Sequence, residues 1–415
     1  MVPDVSVVVP VYNVEQWLPA CLDSVLAQTL QSIEVICVDD CSPDGCAGIL
    51  ADYAKRDARV RVLSLEQNGG QGIARNRGFA AATGRYTYFL DSDDMIAPEA
   101  LENLVARADD EQLDGLFFDS QVVFDTPDLA QRYKSYPAVH TGSYPSGAVS
   151  GLALFEAFMA QRDWTCYVQR QLWRSAYLRD NDILFPTYPS HEDEGFAFEA
   201  IARAPRVAFM AEPYFIRRYR AGSVMTSRPT LRNFASYFQG YCHIAHVMHD
   251  CGIRSVAAER NLARIYDALV RIYTRLQAEN VDVEARFADT GLLGAYLVFS
   301  HAQNSYLHHG MLSASVLSQV KEARRVYVYG AGVLAGNVFE TLVQNDVALE
   351  GFLVSDPSNN SQAFKGHHVW GIDSVPCDSE AIVVIGVTDG YRADVESLLD
   401  RGGWRHVYCK DGWLA

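Results

Sequence analysis

The chain has no Cys-x-x-Cys pair, although nine cysteines are scattered through its 415 residues. That absence removes the usual ligand spacing of a structural zinc site, and the odd count removes a fully paired disulfide framework. Free thiols buried in a reducing cytoplasm are the expectation. No apolar run approaches the roughly 18 residues needed to span a bilayer. No charged leader precedes an apolar stretch at the start, where Val5-Ser6-Val7-Val8-Val9 reads as a first strand instead. A soluble cytoplasmic protein is expected, with peripheral contact at the inner face of the membrane left open. Basic residues are scarce: 35 Lys and Arg stand against 51 Asp and Glu, a formal net charge of −16. That balance argues against broad electrostatic binding to nucleic acid or to anionic lipid. Tandem repeats and low-complexity linkers are also missing. What is present is an ordinary globular composition, 49% hydrophobic and 21% charged, with enough chain for about two or three domains.

Strand and helix signals alternate over residues 1 to about 120. Val5–Val9 is a β-branched run, as expected of a parallel strand buried on both faces. Apolar residues at helical spacing follow in Glu15–Gln28. Glu34–Val38 reads as a strand, Gly48–Arg56 as a helix, Arg59–Leu65 as a strand, Gly72–Ala82 as a helix and Tyr86–Leu90 as a fourth strand. This alternation predicts a mainly parallel sheet covered by helices on both faces. The stretch from 121 to 228 is mixed; Trp164–Leu178 reads as partly helical, and His191-Glu192-Asp193-Glu194 opens a helix over Gly195–Ala204. Long amphipathic helices dominate residues 229 to 320, and α/β alternation returns from 321 to 415. The expected organisation is an α/β domain at 1–228, a helical connecting region at 229–320 and a small α/β domain at 321–415.

Four strand-end clusters carry the chemistry. They are Pro10-Val11-Tyr12-Asn13, Asp39-Asp40-Cys41-Ser42, the Gly-rich stretch Asn68 to Gly78, and Asp91-Ser92-Asp93-Asp94. In a parallel sheet such loops meet along one edge, where open α/β sheets place ligands. Three carboxylates within four residues repel one another unless a cation neutralises them. A hard ion such as Mg²⁺ or Mn²⁺, bridging a diphosphate, would do so; a solvated acidic turn is the plainer alternative. Asp39 or Asp40 can accept a base N–H or hold a ribose hydroxyl, and Tyr12 can cover the base. Arg75 or Arg77, near a helix N-terminus, can meet phosphate oxygens. The residue types alone describe a metal-phosphate cleft.

Residues 5 to about 95 resemble the nucleotide-binding half of the family 2 GT-A glycosyltransferases. The likeness rests on Val5–Asn13, Val38–Ser42, Asn68–Gly78 with its Ala74-Arg75-Asn76 core, and Phe89-Leu90-Asp91-Ser92-Asp93-Asp94. The family usually has Gly where Cys41 stands, a departure that touches turn flexibility. The likeness extends to about residue 228. His191–Phe196 is similar to the family's Glu-Asp segment, whose Asp, here Asp193, serves as catalytic base. Tyr219 to Thr226 resembles the segment that closes over the donor diphosphate, with Arg220 and Ser223. The resemblance implies an inverting, metal-dependent enzyme of the hexosyltransferase type. Its donor would be a nucleotide-sugar, UDP-sugar favoured, and its acceptor a glycan or lipid-linked glycan in surface polysaccharide or glycoconjugate synthesis. Donor contacts would come from Pro10, Tyr12, Asp39, Asp40, Arg75, Asp91, Ser92, Arg220 and Ser223. Asp91 and Asp93, as its Asp-x-Asp motif, would hold Mg²⁺ or Mn²⁺, with Asp94 left to cap a helix or orient the sugar. A helix-terminal carboxylate flanked by solvated Glu192 and Glu194 is the alternative for Asp193.

The last hundred residues carry Gly330-Ala331-Gly332-Val333-Leu334-Ala335 between a strand and a helix, in Gly-x-Gly-x-x-Ala form, with Asp356 at the end of the next strand. This part resembles the Rossmann-like nucleotide-sugar-binding domains of some sugar acetyltransferases. That likeness implies a second nucleotide site at Gly330, Gly332, Ala335 and Asp356, beside an equally open structural role. His243, His246 and His249 recur at i, i+3 spacing, which suits helix packing better than metal ligation. A homo-oligomer is a further option. A non-catalytic nucleotide-sugar-binding or scaffold protein is the competing class. A nucleotidyltransferase would need a Gly-rich, basic signature after the first strand, and Pro10-Val11-Tyr12-Asn13 is not one.

Overall fold

The computed structural model describes residues 2–133, 139–188, 190–220, 230–287, 292–293, 295–297, 299–300, 312–387, 389–409 and 411. The chain divides into two compact units, Met1–Glu279 and Asn280–Ala415.

The first unit is built on one sheet: β1 (Val5–Val11), β2 (Ile33–Asp39), β3 (Val60–Ser64), β4 (Tyr86–Phe89), β5 (Met95–Ile96), β6 (Gly115–Phe124), β7 (Gln171–Arg174) and β8 (Val207–Tyr219). Their order across the sheet is β3-β2-β1-β4-β7-β6-β8-β5. The first four are mutually parallel. All seven residues of β1 are buried, as a strand between two covered faces requires. Val5, Val7, Val9 and Val11 join one core with Leu18, Leu22 and Val25 of the helix Leu18–Leu26. Val8, Ile36 and Val38 face the other, with Ala74 and Phe79 of the helix Gln71–Ala81. Alternation along one strand thus feeds both layers.

Trp164–Leu178, expected to be partly helical, contains β7 before the short helix Ser175–Asp180. β7 runs antiparallel to both β4 and β6. Four residues are too few to display a period of two, and burial of Leu172 and Trp173 in the sheet decides the conformation. β5 is likewise antiparallel, on β8, so the second half of the sheet is mixed where a mainly parallel one was expected.

Pairing of β1 with β4 ends at Val8↔Phe89, so Pro10, which lacks an N–H, lies past the last rung on that side. The two strands part there, and the chain 91–94 leaves at the gap. The helices Leu231–Asp250 and Val256–Ala278 belong to this unit and pack on each other and on the helices Glu192–Arg203 and Gly151–Ala160. No helix among the described residues is long and apolar enough to cross a membrane.

The second unit has its own sheet: β9 (Arg325–Tyr329), β10 (Gly351–Val354), β11 (Ala363–Phe364), β12 (His367–Gly371), β13 (Ala381–Ile385) and β14 (His406–Tyr408), in the order β11-β12-β10-β9-β13-β14. Every pairing is parallel except β11 with β12. The strand order reverses at β9, the arrangement of a doubly wound sheet. All five residues of β13 are buried.

Candidate active site

The carboxyl ends of β1, β2 and β4 and the start of the helix Gln71–Ala81 meet at one edge of the first sheet. Asn13 (φ 54°) and Cys41 (φ 60°) both turn the chain through the left-handed region just after β1 and β2. Asn tolerates that conformation, whereas the Cβ of Cys41 makes it unfavourable there. Gly70, at φ 89°, makes the corresponding turn before the helix.

Asp39 and Asp40 play different parts. Both oxygens of Asp40 are taken by backbone N–H groups, Gly69 at 2.7 Å and Gly70 at 2.8 Å. Asp40 thereby shapes the Gly-rich turn. Asp39 accepts the Ser42 N–H on one oxygen at 3.0 Å. Tyr12, 46% exposed, stands free to cover a ligand.

The Ala74-Arg75-Asn76 core works as architecture. Ala74 is buried in the core. Asn76 bridges Phe185 through its side chain, donating to the carbonyl at 2.7 Å and accepting the N–H at 2.9 Å. Phe185 stacks in parallel on Phe196, 3.9 Å between centroids, which locks the helix Glu192–Arg203. Arg75 is buried, whereas Arg77 is exposed. The Arg75 guanidinium donates to Asp91 at 2.7 Å and to Glu192 at 2.5 Å, and lies over the Phe185 ring. Burial opposes its charge, but the two carboxylates more than offset this, so the group stays protonated.

Each member of the acidic cluster has a partner from a different element. Asp91 also accepts from Gln169 Nε2 at 2.6 Å. Asp93 accepts from Arg220 Nε at 2.7 Å, and the Arg220 guanidinium lies 4.2 Å above the Trp17 ring. Asp94 is buried and accepts the Arg218 N–H at 2.8 Å. Ser92 is buried. Burial first, and the neighbouring carboxylates second, push Asp93 up and Asp94 well up from the usual carboxylate range. Like-charge repulsion is present as expected, but desolvation is the larger cause.

Asp193 sits in the first turn of the helix Glu192–Arg203, next to Glu192 and so one residue from the Arg75 bridge. It is partly buried. Its own contacts are the Cys166 thiol, which donates at 3.5 Å, and the N–H of Glu194 at 3.0 Å. Burial, then Glu192 and Glu194, push its carboxyl up to about 7, against the opposing pull of Arg75 and the thiol. Glu192 and Glu194 are buried rather than solvated, Glu192 on Arg75 and Glu194 on Arg264 at 2.7 Å. His191, just before them, has φ 58°.

Sequence reading missed Gln169, Cys166 and Arg264 as members of this edge. No local pattern marks them; each comes from a distant element. Ser223 and the segment Ala221–Thr226 lie outside the described residues. His243 and His246 each face a carboxylate, Glu199 and Asp250, and His249 also faces Asp250. Among the described residues no group of three His, Cys, Asp or Glu is arranged to hold a metal by itself. In the second unit, Gly330 (φ 113°) turns the chain after β9, and Gly332 precedes the helix Val333–Gln344. Ala335 is buried, so close to Gly386 that a Cβ there would lie 2.9 Å from the Ala335 Cα. Asp356 accepts from the Ser358 N–H at 2.9 Å and hydroxyl at 2.6 Å.

Residues 6–162 match the family model described as Glycosyl transferase family 2. The chain is 37% identical over 232 residues to the uncharacterized glycosyltransferase EpsJ of Bacillus subtilis, covering 54% of this chain and 63% of that protein. It is 44% identical over 108 residues to the succinoglycan biosynthesis protein ExoO of Rhizobium meliloti, covering 26% of this chain and 30% of that one. The chain thus spans less than two thirds of the length of these relatives. Among solved structures, Staphylococcus aureus TarS 1–349 in complex with UDP-GlcNAc is similar with a TM-score of 0.52 and 26% identity, covering 68% of this chain and 77% of that chain. The mixed α/β fold around the candidate site is of the GT-A kind.

Proposed function

We propose that this chain is a family 2 glycosyltransferase that moves a sugar from a nucleoside-diphosphate donor to an acceptor hydroxyl, with inversion, in the assembly of a surface polysaccharide. The observation that carries the reading is the bridge Asp91–Arg75–Glu192, which ties the helix Glu192–Arg203, where Asp193 lies, to the chain just past β4. The match to family 2 and the names of the relatives support the same class. A UDP-sugar is the favoured donor, since the TarS structure holds UDP-GlcNAc. Tyr12 and Asp39 are assigned to the nucleoside, Pro10 and Ser92 to the walls of the cleft, and Arg220 with Ser223 to the diphosphate.

Asp193 takes the proton of the acceptor hydroxyl. The acceptor oxygen forms a bond to the anomeric carbon from the face opposite the diphosphate. The bond to the diphosphate oxygen breaks, and its electron pair leaves with the nucleotide. A base poised near neutral pH suits this step and is worth about 10²–10⁴ in rate. The carboxylates of Asp93 and Asp91 fit a hard divalent ion, which takes one or two carboxylates and completes its shell with phosphate oxygens and water. Mg²⁺ or Mn²⁺ held there would supply charge neutralisation for the leaving diphosphate.

Donor binding is tested by thermal shift of the full chain against UDP-sugars and other nucleotide-sugars, with and without Mn²⁺. Transfer by the responsive donor, and its loss in Asp193→Asn with donor binding kept, is the expected result. No shift with any nucleotide-sugar, or full turnover in Asp193→Asn, refutes the assignment.

The second unit is proposed as a Rossmann-like nucleotide-binding domain with its site at Gly330, Gly332, Ala335 and Asp356, which its parallel strand order and the Gly330 turn support. Calorimetry on the full chain should then give two nucleotide equivalents, reduced to one by Gly332→Glu. A single equivalent before and after the substitution favours a structural role.

A further inference from the structure

The helices Leu231–Asp250 and Val256–Ala278 follow the stretch that matches the family model and share no motif with it. They nevertheless close around the segment that carries Asp193. Gly195 lacks a side chain where His243 and Tyr188 press in; a Cβ there would lie 2.6 Å from the Tyr188 hydroxyl and 3.0 Å from the His243 ring. His243 faces Glu199 at 3.1 Å, one turn further along the same helix. The His191 ring packs on the Tyr237 ring, 4.0 Å between centroids. Arg264 reaches both oxygens of Glu194 with one nitrogen, 2.7 Å from each, and that nitrogen also meets the Asn261 side-chain oxygen at 3.0 Å.

We propose that this helix pair is a working wall of the active site, and that Arg264 is a positioning residue that governs Asp193 through Glu194. The proposal rests on Asp193 being the base. Glu194 follows Asp193 directly, and its N–H holds one Asp193 oxygen. Its side chain is buried, so its charge reaches Asp193 with little screening unless Arg264 balances it. Among the described residues, the groups that face Asp193 are Glu192 and Glu194 on its own helix, Arg75 from the helix Gln71–Ala81, Cys166 from the loop before β7, Tyr188 from the preceding loop and Tyr237 from the helix Leu231–Asp250. Arg264, which faces Glu194, Cys166 and Tyr237, is the cation that the helix Val256–Ala278 brings to this set.

The signs are opposite for the two partners. Without Arg264, Glu194 repels the ionised base more strongly, and Asp193 must lose its proton at higher pH. Without the Glu194 charge, it does so at lower pH. Half of the Arg264 side chain is in water, so a shift of about half a unit is the scale for a partly screened pair.

The experiment is the pH dependence of kcat/KM for transfer by the full chain, with thermal unfolding of each variant recorded alongside. Arg264→Gln should move the acid limb up by about half a pH unit, Glu194→Gln should move it down, and Arg264→Lys should return it near its original place. If Arg264→Gln does not fold, Glu194→Gln still decides the matter. An acid limb that stays in place in Glu194→Gln, while Asp193→Asn abolishes transfer, overturns the role of Arg264 and leaves the base in place. Full turnover in Asp193→Asn overturns the base assignment and this inference with it.

Discussion

Replacing Arg75 by Met should cost the first unit about 3–5 kcal/mol. The guanidinium is 2% exposed and is the shared cation of Asp91 and Glu192, whose side chains are 21% and 5% exposed. Methionine fills much of the same volume over Phe185 but leaves both carboxylates without their cation. Breaking a buried ion pair from one side costs about 3–5 kcal/mol, because the remaining charge stays desolvated. Set against a native stability of about 5–15 kcal/mol, that is a large fraction. Urea unfolding followed by near-UV circular dichroism measures it; at a slope of about 3 kcal/mol/M the midpoint should fall by about 1 M or more. Arg75→Met combined with Glu192→Gln should lose less than the sum of the two single changes, by about 1–3 kcal/mol. A loss under about 1 kcal/mol, or strict additivity with Glu192→Gln, would refute the bridge as the element joining the acidic cluster to the Asp193 helix.

Cys41→Gly should stabilise the fold by about 1 kcal/mol, since φ 60° is unfavourable for any residue with a Cβ; an unchanged or lower urea midpoint counts against it. Asp193→Asn should raise stability at pH 8 and change it little near pH 4. The folded state holds the Asp193 proton up to about pH 7, above the ordinary carboxylate value, so its contribution is full at low pH and is lost as pH rises through about 7. Equal effects at both pH values would contradict that. On the reading that Asp93 and Asp91 hold a divalent ion, Arg220→Ala should tighten Mn²⁺ binding to the donor-free protein and weaken donor binding, because Arg220 is the resident counter-ion of Asp93. Electron paramagnetic resonance titration of free Mn²⁺ reads the first effect, and unchanged Mn²⁺ affinity would remove Arg220 from that role.

The strands β1, β2 and β4 were legible because a buried parallel strand must be apolar on both faces, and Val5–Val9 has few other options. The helix Gln71–Ala81 was legible from its Gly-rich entry. β7 was not: Gln171–Arg174 gains its conformation from the edges of β4 and β6, not from its own residues. The acidic clusters were found as residue types, but their division of labour was hidden. Asp39 and Asp40 are adjacent and chemically alike, yet one is consumed by the turn at Gly69 and Gly70. Arg75 and Arg77 differ only by their side of the helix. Arg75 meets Glu192 across 117 residues and Arg264 meets Glu194 across 70. Contacts of that span leave no periodic trace in a single sequence.

The pattern of partners separates Asp193 from its acidic neighbours. Asp91 and Glu192 share Arg75, Asp93 has Arg220, and Glu194 has Arg264. Each of those carboxylates lies in direct contact with a guanidinium. Asp94 is fixed by a backbone N–H in a fully buried site. Among the described residues Asp193 is hydrogen-bonded by a thiol and a backbone N–H, with two carboxylates beside it and Arg75 engaged elsewhere. A carboxylate paired tightly to a cation is a weak base, since the pairing lowers its affinity for a proton. A carboxylate deprived of one is the stronger base and can change its protonation state near neutral pH. Among the described residues no cation pairs directly with Asp193, and burial beside Glu192 and Glu194 raises its proton affinity to about pH 7.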